Sequence, residues 1–135
     1  MTLEISHLDH VSVLITDVEQ SRQFYGEVLG LKEKEIAPPK TFDFVVVWYD
    51  LGNQHIHLLL KDAPDTESAR HFALRVNDAQ AAREYFQSKG IPIQETTKIP
   101  SADRFFIRDP DDNRIEIIQW TRPYDPVLDG KPRDA

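Results

Sequence analysis

Five side chains in this 135-residue chain have the types and spacing to hold a metal ion or move protons: His10, His55, His57, His71 and Glu116. The stretch NQHIHLLL, residues 53–60, alternates like a strand. His55 and His57 share one side of it with Leu59, while Ile56, Leu58 and Leu60 form an apolar side suited to pack under a helix. In LDHVSVLI, His10 falls with Ser12 and Leu14, opposite Val11, Val13 and Ile15. His71 falls with Ala73 and Arg75, opposite Phe72, Leu74 and Val76, and Glu116 falls with Arg114 and Ile118, opposite Ile115 and Ile117. His10, His57, His71 and Glu116 each point away from the more apolar face of their strand. Three neutral imidazoles and one carboxylate, if they converge, make a nitrogen and oxygen site for a divalent ion such as Ni, Co, Mn, Fe or Zn. Coordination would also spare a glutamate in RIEII the desolvation cost of an isolated charge. Taken singly, each has a plainer reading, as a hydrogen-bonded core or surface histidine or a glutamate on a solvated face.

An internal repeat ties the four together. HVSVLITDVEQSRQFYGEVLG (10–30) set over HFALRVNDAQAAREYFQSKG (71–90) pairs His10 with His71, Asp17 with Asp78, Arg22 with Arg83 and Phe24 with Tyr85, all at an offset of 61. IHLLL (56–60) and IEIIQ (115–119) match at an offset of 59, pairing His57 with Glu116. The chain thus reads as one domain of two modules, about 7–60 and 69–120, with a polar linker at 61–68 and a polar tail at 121–135.

Each module predicts strand, helix and three further strands. Thr16 with Glu19 forms a capping-box pattern ahead of a stripe made by Val18, Ser21, Phe24, Tyr25, Val28 and Leu29. Asn77 with Gln80 caps the second helix, whose stripe is Ala79, Ala82, Tyr85 and Phe86, and Gly90 ends it. Extended runs follow: TFDFVVVWYDL and QHIHLLL in the first module, then PIQETTK, RFFIRD and NRIEIIQW in the second, with LGN and DPDDN as turns. The expected fold class is α+β, two tandem βαβββ modules forming a curled mixed sheet around a metal cavity.

Composition narrows the partners. With 23 acidic against 16 basic residues the formal charge is −7, and no run of five Lys or Arg offsets it, which argues against nucleic acid and anionic membranes. The chain has no cysteine, which removes disulfides, thiolate ligands and thiol nucleophiles. MTLEISHLDH lacks the layout of a signal peptide, and no apolar run approaches the ~20 residues that span a bilayer. A cytoplasmic protein is expected.

The strand histidine in LDHVSV, the helix ending SRQFYGEVLGL, the histidine opening RHFALRV and the stretch RDPDDNRIEII together resemble the vicinal oxygen chelate superfamily over residues 7–120. That group includes glyoxalase I, methylmalonyl-CoA epimerase, extradiol dioxygenases, fosfomycin-resistance transferases and bleomycin-resistance proteins. The resemblance implies paired βαβββ modules, commonly in a homodimer, with metal ligands at His10, His71 and Glu116 and a variable fourth position at His57. Glyoxalase I carries glutamate at that fourth position, so histidine here departs from it. DPDDN departs from the usual DPDGN, and Asp112 is a residue that tolerates a left-handed backbone.

The resemblance implies a small-molecule substrate held through two adjacent oxygens, with Glu116 or His57 as the mobile base of a lyase- or isomerase-type proton transfer, or a group addition. The alternatives are a non-catalytic ligand-binding protein of the bleomycin-resistance kind and a fosfomycin-type thiol transferase. Extradiol dioxygenases typically use a chain about twice as long. His55 would orient His57 from behind, or simply end the strand near its turn. Arg104 would meet a substrate carboxylate or phosphate, or pair at the surface with Asp103 or Asp109. Trp48, Tyr49, Phe44 and Phe106 would wall the cavity, or fill the core.

Overall fold

The computed structural model describes residues 2–35 and 45–130 of the chain. It forms two compact units, Met1–Glu67 with Pro110–Asn113, and Ser68–Asp109 with Arg114–Ala135.

The first unit runs β1 (His10–Ile15), α1 (Val18–Arg22) continuing into a π-helical segment (Gln23–Val28), β2 (Lys32–Glu33), β3 (Val45–Leu51) and β4 (Gln54–Leu60). Its sheet has the order β1-β4-β3-β2, with β1 parallel to β4 and the other pairs antiparallel. The second unit repeats the scheme with β5 (Phe72–Arg75), α2 (Ala79–Ser88), β6 (Gln94–Glu95), β7 (Ala102–Arg108) and β8 (Arg114–Trp120), followed by a short α3 (Pro126–Asp129) in the tail. Its order is β5-β8-β7-β6, with β5 parallel to β8. Both units are therefore four-stranded mixed sheets with few helices. Strands β2 and β6 are two residues each and lack an apolar alternation, which is why the sequence pattern did not mark β2. Residues 41–44 of the expected strand from Thr41, including Phe44, lie outside the described residues.

Strand alternation divides each sheet into two faces. In the first unit Val13, Ile15, Val47, Tyr49, Ile56 and Leu58 are buried with Phe24 and Tyr25. In the second, Phe105, Ile107, Ile115 and Ile117 are buried with Ala79 and Phe86. The rings of Tyr25 and Tyr49 stack at 6.0 Å, and Phe86 meets Phe105 edge-on at 6.1 Å. Burying each large apolar side chain contributes roughly 1.5–3 kcal/mol, so these faces anchor the helices.

The helix starts correct the expected caps by one residue. Asp17, not Thr16, caps α1 by accepting from the Gln20 amide at 3.0 Å, and Asp78, not Asn77, caps α2 by accepting from the Ala81 amide at 3.0 Å. Thr16 is otherwise engaged: its amide and hydroxyl donate to Asp111 at 3.1 and 2.6 Å. The expected stripe also changes period. From Gln23 the helix widens, the Leu29 amide reaching back five residues to the Phe24 carbonyl at 2.8 Å. Ser21, Phe24 and Tyr25 are buried, while Val18, Val28 and Leu29 stay only half-buried.

The repeat pair Arg22 and Arg83 is structural. Arg22 grips Glu33 of β2 through Nε and Nη2 at 3.2 and 3.0 Å, and Arg83 grips Glu95 of β6 through the same two nitrogens at 3.0 and 2.9 Å. Each clips a helix to the short edge strand of its own sheet. Arg83 also holds Asp103 at 2.7 Å. The turn after β7 keeps its left-handed residue, Asp112 at φ 64°, and Asn113 donates to the Leu14 carbonyl at 2.8 Å.

Two outcomes follow from these contacts. Asp78→Ala should lower unfolding free energy by about 1 kcal/mol in urea titrations, whereas Asn77→Ala should change it little; the reverse ranking would contradict the cap assignment. The Arg83 guanidinium holds the Asp103 carboxyl below its ordinary value of 3.8. Its folded form is thus the less readily protonated one, so the stabilisation is present above that pH and is lost as pH falls through the lowered value. Thermal melts of Arg83→Met should show a deficit at neutral pH that narrows in acid.

Candidate metal centre in the first unit

The polar face of the first sheet gathers three imidazoles. Register places His10 beside His55, and Ser12 and Trp48 on either side of His57, so His10, His55, His57 and Trp48 share the face turned away from Tyr49 and Ile56. One potential ligand atom from each of His10, His55 and His57 lies within 4.8 Å of the others. The His10 and His57 rings stack at 4.1 Å, and those of His55 and His57 lie 5.5 Å apart and within 3° of parallel. Ligands ~2.1 Å from one ion sit closer together than that spread allows, so closing on an ion requires the rings to turn.

The hydrogen bonds suit ligation. His10 Nδ1 lies 2.7 Å from Asp9 Oδ1, and a carboxylate accepts, so Nδ1 carries the proton and Nε2 keeps its lone pair. His55 Nδ1 stands 3.8 Å from the same carboxylate oxygen. The bond from His10 holds Asp9 below the ordinary carboxylate range. His57 is only 8% exposed, and its Nε2 is buried without a hydrogen-bond partner. Burial pushes the His57 imidazole below its ordinary value, and nearby His10 and His55 push the same way against a smaller opposing pull from Asp9. A neutral, buried imidazole with an unspent nitrogen is what a borderline cation needs. Trp48 packs its ring 4.1 Å from His57 and 4.7 Å from His55.

The second unit positions the other two expected ligands on its own polar face. His71 immediately precedes β5, and its Nδ1 donates to the Ala69 carbonyl at 3.0 Å. A carbonyl only accepts, so Nε2 is again the nitrogen with a lone pair, as at the repeat-equivalent His10. His71 meets Phe106 edge-on at 4.9 Å, and Phe106 stands directly opposite Glu116. Glu116 is 8% exposed and accepts from Arg104 Nη1 at 2.6 Å.

The remaining expectations divide. Arg104 pairs with Glu116 rather than with Asp103, whose carboxylate is taken by Arg83. Trp48 and Phe106 each lie beside an expected ligand. Tyr49 does not: it is fully buried on the opposite face because a one-residue step along β3 reverses side, and its assignment to the substrate wall is corrected to the core. Tyr49 also borders a helix-side cleft of about 620 Å³ that includes Arg22 and Glu33, and burial pushes its hydroxyl up to about 12. His55, expected behind His57, belongs to the imidazole cluster itself. Periodicity alone does not mark Asp9; a carboxylate directly preceding a candidate ligand, in LDH, is the sequence signal for it.

Paired βαβββ units with an imidazole cluster able to hold a metal ion define a recognisable class. The chain belongs to the Glyoxalase/Bleomycin resistance protein/Dioxygenase superfamily, whose family model matches residues 7–117. It is 35% identical over 66 residues to the mitochondrial methylmalonyl-CoA epimerase of Mus musculus, a match covering 47% of this chain and 37% of that protein. It is 28% identical to Glyoxylase I 4 of Arabidopsis thaliana, across 85% of this chain and 71% of that one. Among solved structures, a glyoxalase family protein from Bacillus anthracis superposes with a TM-score of 0.78 at 29% identity, covering 89% of this chain and 99% of its own. None of the described helices is long and apolar enough to cross a membrane.

The lowered His57 value carries a sign. The unfolded chain binds the proton more readily, so His57 should favour folding fully above its ordinary value of 6.5 and cost stability as pH falls below it. A proton NMR titration should place the His57 midpoint below that of an exposed histidine; a midpoint above 6.5 would contradict the burial argument.

Proposed function

We propose that the protein is a divalent-metal-dependent enzyme of the glyoxalase type, taking a small substrate through two adjacent oxygens and catalysing proton transfer beside a carbonyl or a related group addition. The observation that carries this reading is the His57 Nε2, buried and unpartnered within a cluster of imidazoles. An unsatisfied buried polar atom costs about 1–3 kcal/mol, and a bound ion would relieve it. The proposed ligands are His10 and His57 in the first unit, where His55 is the competing third imidazole, and His71 and Glu116 in the second. When bound, the cation would polarise the substrate oxygens and stabilise the negative charge that develops on them.

In this reading the chain's own residues do the rest. Asp9 and the Ala69 carbonyl fix the tautomers of His10 and His71. The candidate bases are His57 and, once freed from Arg104, Glu116. Trp48 beside His57 and Phe106 beside His71 would each exclude water from the neighbouring imidazole. Similarity to an epimerase and to a glyoxylase supports this chemistry. Homodimeric assembly and a cytoplasmic setting belong to the same reading.

One observation favours a second reading, a non-catalytic binder of small molecules: Glu116 is already neutralised by Arg104 at 2.6 Å. Metal analysis of protein purified without chelator, followed by titration with Co²⁺, Ni²⁺, Mn²⁺ and Zn²⁺, separates the two. About one equivalent should bind, with affinity reduced at least tenfold in His57→Ala and about tenfold in Asp9→Ala. Loss in His55→Ala with retention in Glu116→Ala would place the ion on the three imidazoles. No saturable binding of any of the four ions would sink the enzyme reading.

A further inference from the structure

The polar face of the second sheet is strongly basic in a chain of charge −7. Register puts Phe106 opposite Glu116, Arg104 opposite Ile118, Arg108 opposite Arg114, and Ala73 and Arg75 beside Glu116 and Ile118. Arg75, Arg104, Arg108 and Arg114 therefore share one face with Glu116. Arg114 lies over the Phe106 ring at 4.0 Å and donates to the Ala69 carbonyl at 3.1 Å. Arg104 occupies the middle of this face and is half-buried. Its Nη1 donates to Glu116, its Nη2 to the Thr97 carbonyl at 2.9 Å, and its Nε is buried with no hydrogen-bond partner.

The Nε–Nη2 edge is the edge with which Arg22 and Arg83 of this same chain grip glutamates. At Arg104 that edge has one donor unspent at Nε, and Nη2 has a second hydrogen beyond the one given to Thr97. An oxyanion of carboxylate, phosphate or sulfate geometry matches such an edge. What opposes it is Glu116, which neutralises the guanidinium and repels an approaching anion.

We propose that Arg104 is an oxyanion-binding site whose affinity is switched on when a cation takes the Glu116 carboxylate, so that this protein selects substrates carrying an anionic group near their chelating oxygens. The inference rests on the metal-dependent reading for its switch, but not for the anion site itself. With Glu116 engaged by a cation, the Arg104 charge is uncompensated and its Nη1 is released as a further donor. Coupling of this kind is reciprocal: the anion must tighten cation binding by the same factor that the cation tightens anion binding.

Calorimetric titration with sodium sulfate tests this in the full chain, with and without saturating Co²⁺. The parent should bind sulfate at least tenfold more tightly in the presence of Co²⁺. Glu116→Gln, which removes the opposing charge, should bind sulfate at the raised affinity without any metal. Arg104→Met should show neither gain, should bind Co²⁺ more tightly because its competitor for Glu116 is gone, and should melt at a lower temperature without metal because the buried carboxylate is left unpaired. Arg104→Lys, which retains the charge and guards against misfolding of the methionine variant, should keep a weaker sulfate site. Metal-free Glu116→Gln binding sulfate no better than the metal-free parent would overturn the inference. So would an Arg104→Met variant that keeps the Co²⁺-dependent gain. A parent that binds no divalent ion defeats the functional reading instead, and the Glu116→Gln comparison still decides whether Arg104 is an anion site.

Discussion

Two-sidedness of a twisted strand is the constraint on which everything else in this molecule rests. Each sheet must bury one face under its helix, and the apolar positions of β1, β3 and β4, or of β5, β7 and β8, are committed to that task. The histidines and the glutamate that alternate with these positions are then forced onto the other face. A histidine or glutamate in such a place cannot be moved by one residue without inverting the whole apolar set. The imidazoles of the first unit and the carboxylate of the second are thus held by the same packing that makes the core.

That constraint acts twice, with different chemical results. In the first unit the polar face carries His10, His55, His57 and Trp48; burial holds the central imidazole, His57, below its ordinary value, and its Nε2 has no hydrogen-bond partner. In the second it carries guanidinium groups around one carboxylate, tied by the Arg104–Glu116 bond. The repeat keeps the scaffold, as the matched Asp17 and Asp78 caps and the Arg22 and Arg83 clips show, while the chemistry on the two polar faces diverges. Membership of the glyoxalase superfamily accords with this, since the scaffold is what the members share and the site is where activities part.

Tyr49 and His55 mark the boundary of what pattern alone could resolve. Tyr49 belongs to an aromatic pair with Trp48, and without the pairing register of β3 nothing says which of the two faces the imidazoles. His55 was readable as sharing a side with His57, yet whether it stands beside that residue or behind it depends on the stacking of rings from β1 and β4. Thr16 and Asn77 fitted the capping pattern, but Thr16 was drawn to Asp111, 95 positions along the chain, and the adjacent aspartates took the helix ends. In each case a contact remote in sequence outweighed a local preference.

The amino-acid sequence by itself determined the α+β class, the internal repeat, the βαβββ order and the face on which each candidate ligand lies. These follow from local periodicity and from the matching of two halves, which need no knowledge of partners. Only the tertiary structure decided which polar groups meet: Asp9 with His10, Arg104 with Glu116, Arg83 with Asp103, and the three imidazoles with one another. Hydrogen bonds and ion pairs act over a few ångströms between side chains brought together by strand register and helix placement. Those are properties of the folded chain as a whole, and no window of sequence contains them.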